Sequence, residues 1–153
     1  MAKPMPAQLQ KLFAVAKKAR LHAHAPHSGC QVGAAIRLAN GKIFPGCNVE
    51  NSSYGATVCA ERGAIQTAIC AEGKIHIAEI LVVTDASPPW LPCGLCRQVI
   101  SEFVASAPGG DITIHATNMN GESVTTTFQK LYPGLFSPAE LRAGQKKKMR
   151  TLA

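Results

Sequence analysis

Ile77-Ala78-Glu79-Ile80-Leu81-Val82-Val83-Thr84 carries one charge and five long or β-branched aliphatic side chains in eight residues. A strand with no polar face must be covered on both sides, which places it at the centre of the sheet of an α/β protein. Upstream, Cys59 to Glu72 has Ile65, Ala68 and Ile69 at helical spacing, with Gly73 positioned to cap the helix. Downstream, a loop from Asp85 to Pro92 with three prolines leads into a second helix over Cys93 to Ala105, with Val99, Ile100, Phe103 and Val104 turned inward. Further out, Val32 to Leu38 and Lys42 to Asn48 read as a hairpin about Asn40-Gly41. Ala7 to His22 reads as an amphipathic helix through Leu9, Leu12, Phe13, Ala16 and Ala19. Asp111 to Thr117 and Glu122 to Phe128 form two last strands. The four residues between them are too few for a parallel crossover, so this pair is expected to be antiparallel. A short helix from Pro138 to Arg142 follows. The expectation is a three-layer α/β/α protein with a mixed sheet of about five strands.

The 153 residues suit one domain over 1–141 with a core of its own, and the 46% hydrophobic content argues against disorder. The net charge of +7 is unevenly placed. Arg142, Lys146, Lys147, Lys148 and Arg150 leave eleven basic against nine acidic residues elsewhere, a net +2. A basic run over 142–153 reads as a solvated tail before it reads as a nucleic-acid site. No apolar run approaches a membrane span and the first residues lack a secretory pattern, so the expected location is cytoplasmic. In a reducing compartment six cysteines serve metal binding or burial better than disulfides.

Cys59-Ala60-Glu61 and Pro92-Cys93-Gly94-Leu95-Cys96 carry the chemistry. Cys93 and Cys96 lie three apart at a helix start, so their sulfurs project to one side, and Cys59 opens the other helix. Helix N-termini favour thiolates. Three of them can hold one Zn2+ per chain at about 2.3 Å, with a fourth position open for water. Three thiolates leave the centre at net charge −1, and Arg62 is placed to bond a sulfur and offset this. Glu61, two residues past Cys59, points off the sulfur's side and is the expected proton carrier. Taken alone, Cys93-Gly94-Leu95-Cys96 fits a redox dithiol equally well. A closed structural zinc site would need a fourth ligand. Cys30, Cys47 and Cys70 lack paired spacing and read as small buried hydrophobes. The five histidines show no ligand pairing, with His27 the one of interest.

The chain resembles the small zinc-dependent cytidine deaminases over about residues 9–141. The likeness runs through Val32-Gly33-Ala34-Ala35, Gly46-Cys47-Asn48-Val49-Glu50-Asn51-Ser52-Ser53-Tyr54, Cys59-Ala60-Glu61-Arg62, Pro92-Cys93-Gly94-Leu95-Cys96-Arg97-Gln98 and Leu131-Tyr132-Pro133-Gly134-Leu135-Phe136. The resemblance implies a cytidine-deaminase-like fold and hydrolysis of cytidine or deoxycytidine to uridine or deoxyuridine and ammonia. It assigns Cys59, Cys93 and Cys96 to zinc and Glu61 to catalysis. Asn48 and Glu50 would hold the ribose, with Glu50 as a buried acceptor for the 3′-hydroxyl, while the Ala60 backbone and Glu61 would read the pyrimidine edge. It also implies a homotetramer in which Tyr54 and the Phe136 region complete a neighbour's site. The family usually has Tyr-Ser-x-Phe ahead of Val-Gly, where this chain has His27-Ser28-Gly29-Cys30. Replacing that phenylalanine by Cys30 removes about 1–3 kcal/mol of stacking and opens room for modified cytidines.

Blasticidin-S-type deaminases share the zinc pattern but resemble this chain less over Asn48 to Asn51. A polynucleotide deaminase fits poorly, since Glu50 on a 3′-hydroxyl would block a continuing strand. A non-enzymatic zinc or redox module leaves Asn48, Glu50 and Glu61 without a task.

Overall fold

The computed structural model describes residues 5–135. Their elements are α1 (Ala7–Arg20), β1 (Gly33–Leu38), β2 (Ile43–Cys47), α2 (Ala60–Glu72), β3 (Ile77–Thr84), α3 (Gly94–Val104), β4 (Thr113–Asn118), β5 (Ser123–Thr127) and α4 (Phe128–Leu131), with 3-10 turns at Tyr54–Ala56 and Pro108–Gly110. The sheet order is β2-β1-β3-β4-β5. β1 is antiparallel to both β2 and β3, β3 and β4 are parallel, and β4 and β5 are antiparallel. Among the described strands the one parallel step is thus the one that α3 bridges, as a crossover requires. No helix among the described residues is long and apolar enough to cross a membrane.

β3 is the central strand, and its two faces feed two cores. On one, Leu12 and Ala16 of α1 pack with Ala35, Leu81 and Val83. On the other, α2 and α3 bury Ala64, Ile65, Ala68, Cys96, Ile100 and Val104 against Ile80 and Val82. Two glycines set the spacing of these layers. A Cβ on Gly33 would lie 2.0 Å from the Ala16 carbonyl oxygen, and one on Gly46 would lie 2.2 Å from the Ala64 nitrogen and 2.3 Å from the Ala60 oxygen. Only glycine permits backbone to approach backbone so closely. The alanines of α2 supply the matching flat face.

Several expectations change. Ile69 is exposed rather than inward, as are Cys30 and Cys70, and Cys47 is half-buried, so none of the three unpaired cysteines is a core residue. Ala64, Ile65 and Ala68 already fill the buried stripe of α2, which leaves Ile69 on its outer edge. The last strand ends at Thr127 because α4 begins there. Asp111 Oδ1 accepts from the Gln129 N–H at 3.2 Å, and the buried Phe128 ring closes the sheet end. The helix expected over Pro138–Arg142, the basic tail and Phe136 lie outside the described residues.

Candidate active site

Both metal motifs fall at helix starts. Cys59 is the N-cap of α2, Cys93 is the N-cap of α3, and Cys96 lies in the first turn of α3. The first N–H groups of each helix have no intrahelical partner and face these sulfurs with partial positive charge. Because α2 and α3 lie side by side on one sheet face, the three sulfurs converge to within 4.8 Å of one another. The Cys59 and Cys93 sulfurs are 3.7 Å apart. A tetrahedral zinc with Zn–S bonds of about 2.3 Å needs sulfurs about 3.7 Å apart, so the donor set fits that ion. Among the described residues no histidine or carboxylate joins the cluster, which leaves a fourth position for another ligand.

The electrostatics agree with the fit. The bond from the Cys96 thiol, aided by Arg62 and Cys93 and opposed by burial, brings the Cys59 thiol down to about 5. The Cys96 thiol is pushed up, first by that same bond and then by burial. Arg62 Nη2 lies 3.8 Å from the Cys59 sulfur and also donates to the Thr57 carbonyl. Its Nε is buried with no hydrogen-bond partner among the described residues.

Glu61 is buried one step into α2, at 4% exposure. Burial pushes its carboxyl above the usual range, and the Cys59 charge adds to this. Glu61 lines a cavity of about 290 Å3 together with Cys59, Ala60 and Cys93. Asn48, Glu50 and Cys30 line the same cavity. Residues from four separate stretches of sequence thus meet at one opening.

Two of the expected contacts have structural partners of their own. Asn48 is buried, accepting from the Val32 N–H at 2.8 Å and donating to the Cys30 carbonyl at 2.9 Å, so it braces the chain entering β1. Glu50 is only partly buried, contrary to expectation, because it sits on the loop after β2. Its Oε2 accepts from the His27 and Ser28 N–H groups at 2.8 and 3.1 Å, and its Oε1 accepts from the Ser28 hydroxyl. These bonds, with the Ser28 hydroxyl foremost, hold its carboxyl below the usual range. Tyr54 does not line the cavity. It is 77% exposed and meets the His27 ring edge-on at 6.0 Å.

Sequence reasoning missed Ser28, Thr57 and Trp90, which also line the cavity. A signal was available for Trp90, the single tryptophan of the chain, two residues before Pro92.

Comparison with known proteins places this geometry. The family model described as the cytidine and deoxycytidylate deaminase zinc-binding region matches residues 6–107. A cytidine deaminase of Sporosarcina psychrophila is 44% identical over 133 residues, covering 87% of this chain and 94% of the relative. One from Halalkalibacterium halodurans is 39% identical over 132 residues, covering 86% and 96%. The crystal structure of cytidine deaminase from Burkholderia pseudomallei superposes with a TM-score of 0.75 at 40% identity, covering 86% of this chain and all of that one.

Proposed function

The chain belongs to the cytidine and deoxycytidylate deaminase zinc-binding family, and from that premise we propose that it hydrolyses cytidine to uridine and ammonia. The observation that carries this reading is the convergence of the three-cysteine cluster and the buried Glu61 on one nucleoside-sized cavity. Zinc is the cofactor; Cys59, Cys93 and Cys96 would hold it, and it would supply the Lewis acidity that makes a water nucleophilic at neutral pH.

The remaining chemistry belongs to the chain. Glu61 takes the proton the water gives up and returns protons to the ring and to the departing amine, so that water is added and ammonia lost in balance. Burial serves this role, since a desolvated carboxyl holds a proton more readily than an exposed one. Arg62 offsets the surplus negative charge of three thiolates through the Cys59 sulfur. The Ala60 backbone meets the polar edge of the pyrimidine, a role supported by its position at the first turn of α2 and in the cavity lining.

Asn48 and Glu50 hold the ribose. A carboxylate offers about four acceptor positions, and the 27–28 loop occupies three of those on Glu50. The position left on Oε1 is available to the sugar 3′-hydroxyl. That bond would also exclude a continuing nucleic-acid strand. Deoxycytidine keeps this hydroxyl and should be a substrate as well. The small Cys30 side chain at the same cavity supports tolerance for substituted cytidines. Exposed Tyr54, Leu21 and Leu95 support a homo-oligomer, in which Tyr54 completes a neighbour's pocket. For Phe136 that role rests on the resemblance alone. Six free cysteines support a cytoplasmic location.

The test is ammonia release from zinc-loaded protein with cytidine, beside Glu61→Ala. Release that the variant abolishes is expected. No release from protein carrying one zinc per chain would overturn the assignment.

A further inference from the structure

The cavity has one flat surface. Its apolar lining comprises the aliphatic Val32, Val82 and Leu91, the small Cys30, and Trp90, and among the described residues that line it Trp90 is the only aromatic one. The indole is 52% exposed. A large apolar side chain left half in water calls for an explanation when its backbone is firmly held.

The loop carrying Trp90 is anchored along its length. Asp85 pairs with Arg20. The buried Asn118 amide donates to the Ala86 carbonyl at 3.0 Å, and the Ser87 hydroxyl donates to Glu122 at 2.7 Å. The Trp90 N–H lies 3.5 Å from Thr84 Oγ1, and Pro88, Pro89 and Pro92 restrict the backbone on both sides. The backbone that carries the indole is therefore already held at the cavity, which lowers the ordering cost of a contact there.

A pyrimidine ring has polar edges and two π faces. Glu61 and the Ala60 backbone address an edge, which leaves the faces to the apolar lining. We infer that Trp90 is the stacking surface for the cytosine ring in this chain, a specificity-determining contact that favours flat aromatic bases. The inference rests on the deaminase reading of the same cavity. Stacking depends little on the changes at C4 during the reaction, so it contributes equally to bound substrate and transition state. Its loss should raise KM and spare kcat.

Trp90 is the single tryptophan in the chain, so its emission reports this site alone. Zinc-loaded Glu61→Ala protein titrated with cytidine should show a saturable change in tryptophan emission, and ribose at the same concentrations should produce none. In steady-state assays Trp90→Ala should raise KM for cytidine about tenfold or more, with kcat within about twofold, and Trp90→Phe should recover most of the loss. Circular dichroism and zinc content check the variants. The emission titration decides alone if Trp90→Ala does not fold, since it leaves Trp90 in place. Emission that ignores saturating cytidine, or an unchanged KM in Trp90→Ala, would overturn the role of Trp90 while wild-type turnover keeps the deaminase reading. Wild-type protein that neither releases ammonia nor responds in emission overturns both.

Discussion

Ser28 donates twice to Glu50, through its hydroxyl to Oε1 and through its N–H to Oε2 at 3.1 Å. The carboxylate proposed to hold the ribose is thus oriented by the loop ahead of β1, on which Cys30 also sits. Sequence separation hides this pairing, since the two residues are 22 positions apart.

Ser28→Ala removes the largest cause of the depressed Glu50 pKa. The sign follows from that depression. In the wild type Glu50 stays ionised below its ordinary value of 4.5, so its contribution to stability is present above that value and is lost as pH falls through the lower folded one. In Ser28→Ala the Glu50 titration should move upward toward 4.5, read by carboxyl 13C NMR. KM for cytidine should rise about fivefold as the carboxylate loses its orientation. An unmoved titration would show that the backbone donors suffice.

Gly46 is the seat of α2. Its substitution by alanine forces a Cβ into the Ala60 and Ala64 backbone, which cannot yield as a flexible side-chain end could. Gly46→Ala should cost about 2 kcal/mol or more by overpacking. Since α2 carries Cys59 and Glu61, zinc retention should fall with stability. Denaturant melts and zinc content after dialysis would check both. A stable variant with full zinc would show that α2 can shift without cost.

Metal and proton carrier should separate cleanly. Cys93→Ala should lose zinc and activity together, and added zinc should not restore either. Chelation of the wild type should abolish turnover and lower the melting temperature, with both recovered on adding zinc. Glu61→Gln should keep one zinc per chain and deaminate about 10²–10⁴-fold more slowly. Metal analysis beside ammonia release distinguishes the two classes.

His115 lies between β3 and β5, 2.9 Å from Thr125 Oγ1 and 3.6 Å from Glu79. Burial, opposed by Glu79 and assisted by Arg37, lowers its pKa from 6.5. The unfolded chain therefore takes up a proton near pH 6.5 while the folded protein resists it, and stability falls as pH drops below that value. The urea midpoint should fall more between pH 7.5 and 5.5 in the wild type than in His115→Gln. Equal falls would assign the pH dependence to other groups.

Much of this protein was legible as one-dimensional pattern. Ile77–Thr84 emerged as the central strand with its bounds intact, because an unbroken apolar run admits no exposed face. The short β4–β5 connection settled an antiparallel pair by reach alone. Cys59, Cys93 and Cys96 were recognisable because thiolates at two helix starts have a chemistry their spacing betrays. Burial within a helix stripe was less legible, and Ile69 shows why. Hydrophobic periodicity marks a face about 100° wide, and where that face ends depends on the partner's shape. Contacts between distant loops were not legible at all. Neither the Ser28 bonds to Glu50 nor the bracing of β1 by Asn48 has any local signature, and for Trp90 the sequence offered only its place two residues before Pro92. Each depends on where the packed sheet and helices bring chain segments that are far apart in sequence. The sequence determined the layers and the metal donors through local periodicity and ligand chemistry, and the tertiary structure decided which polar groups at the cavity are already bonded and which keep an open position.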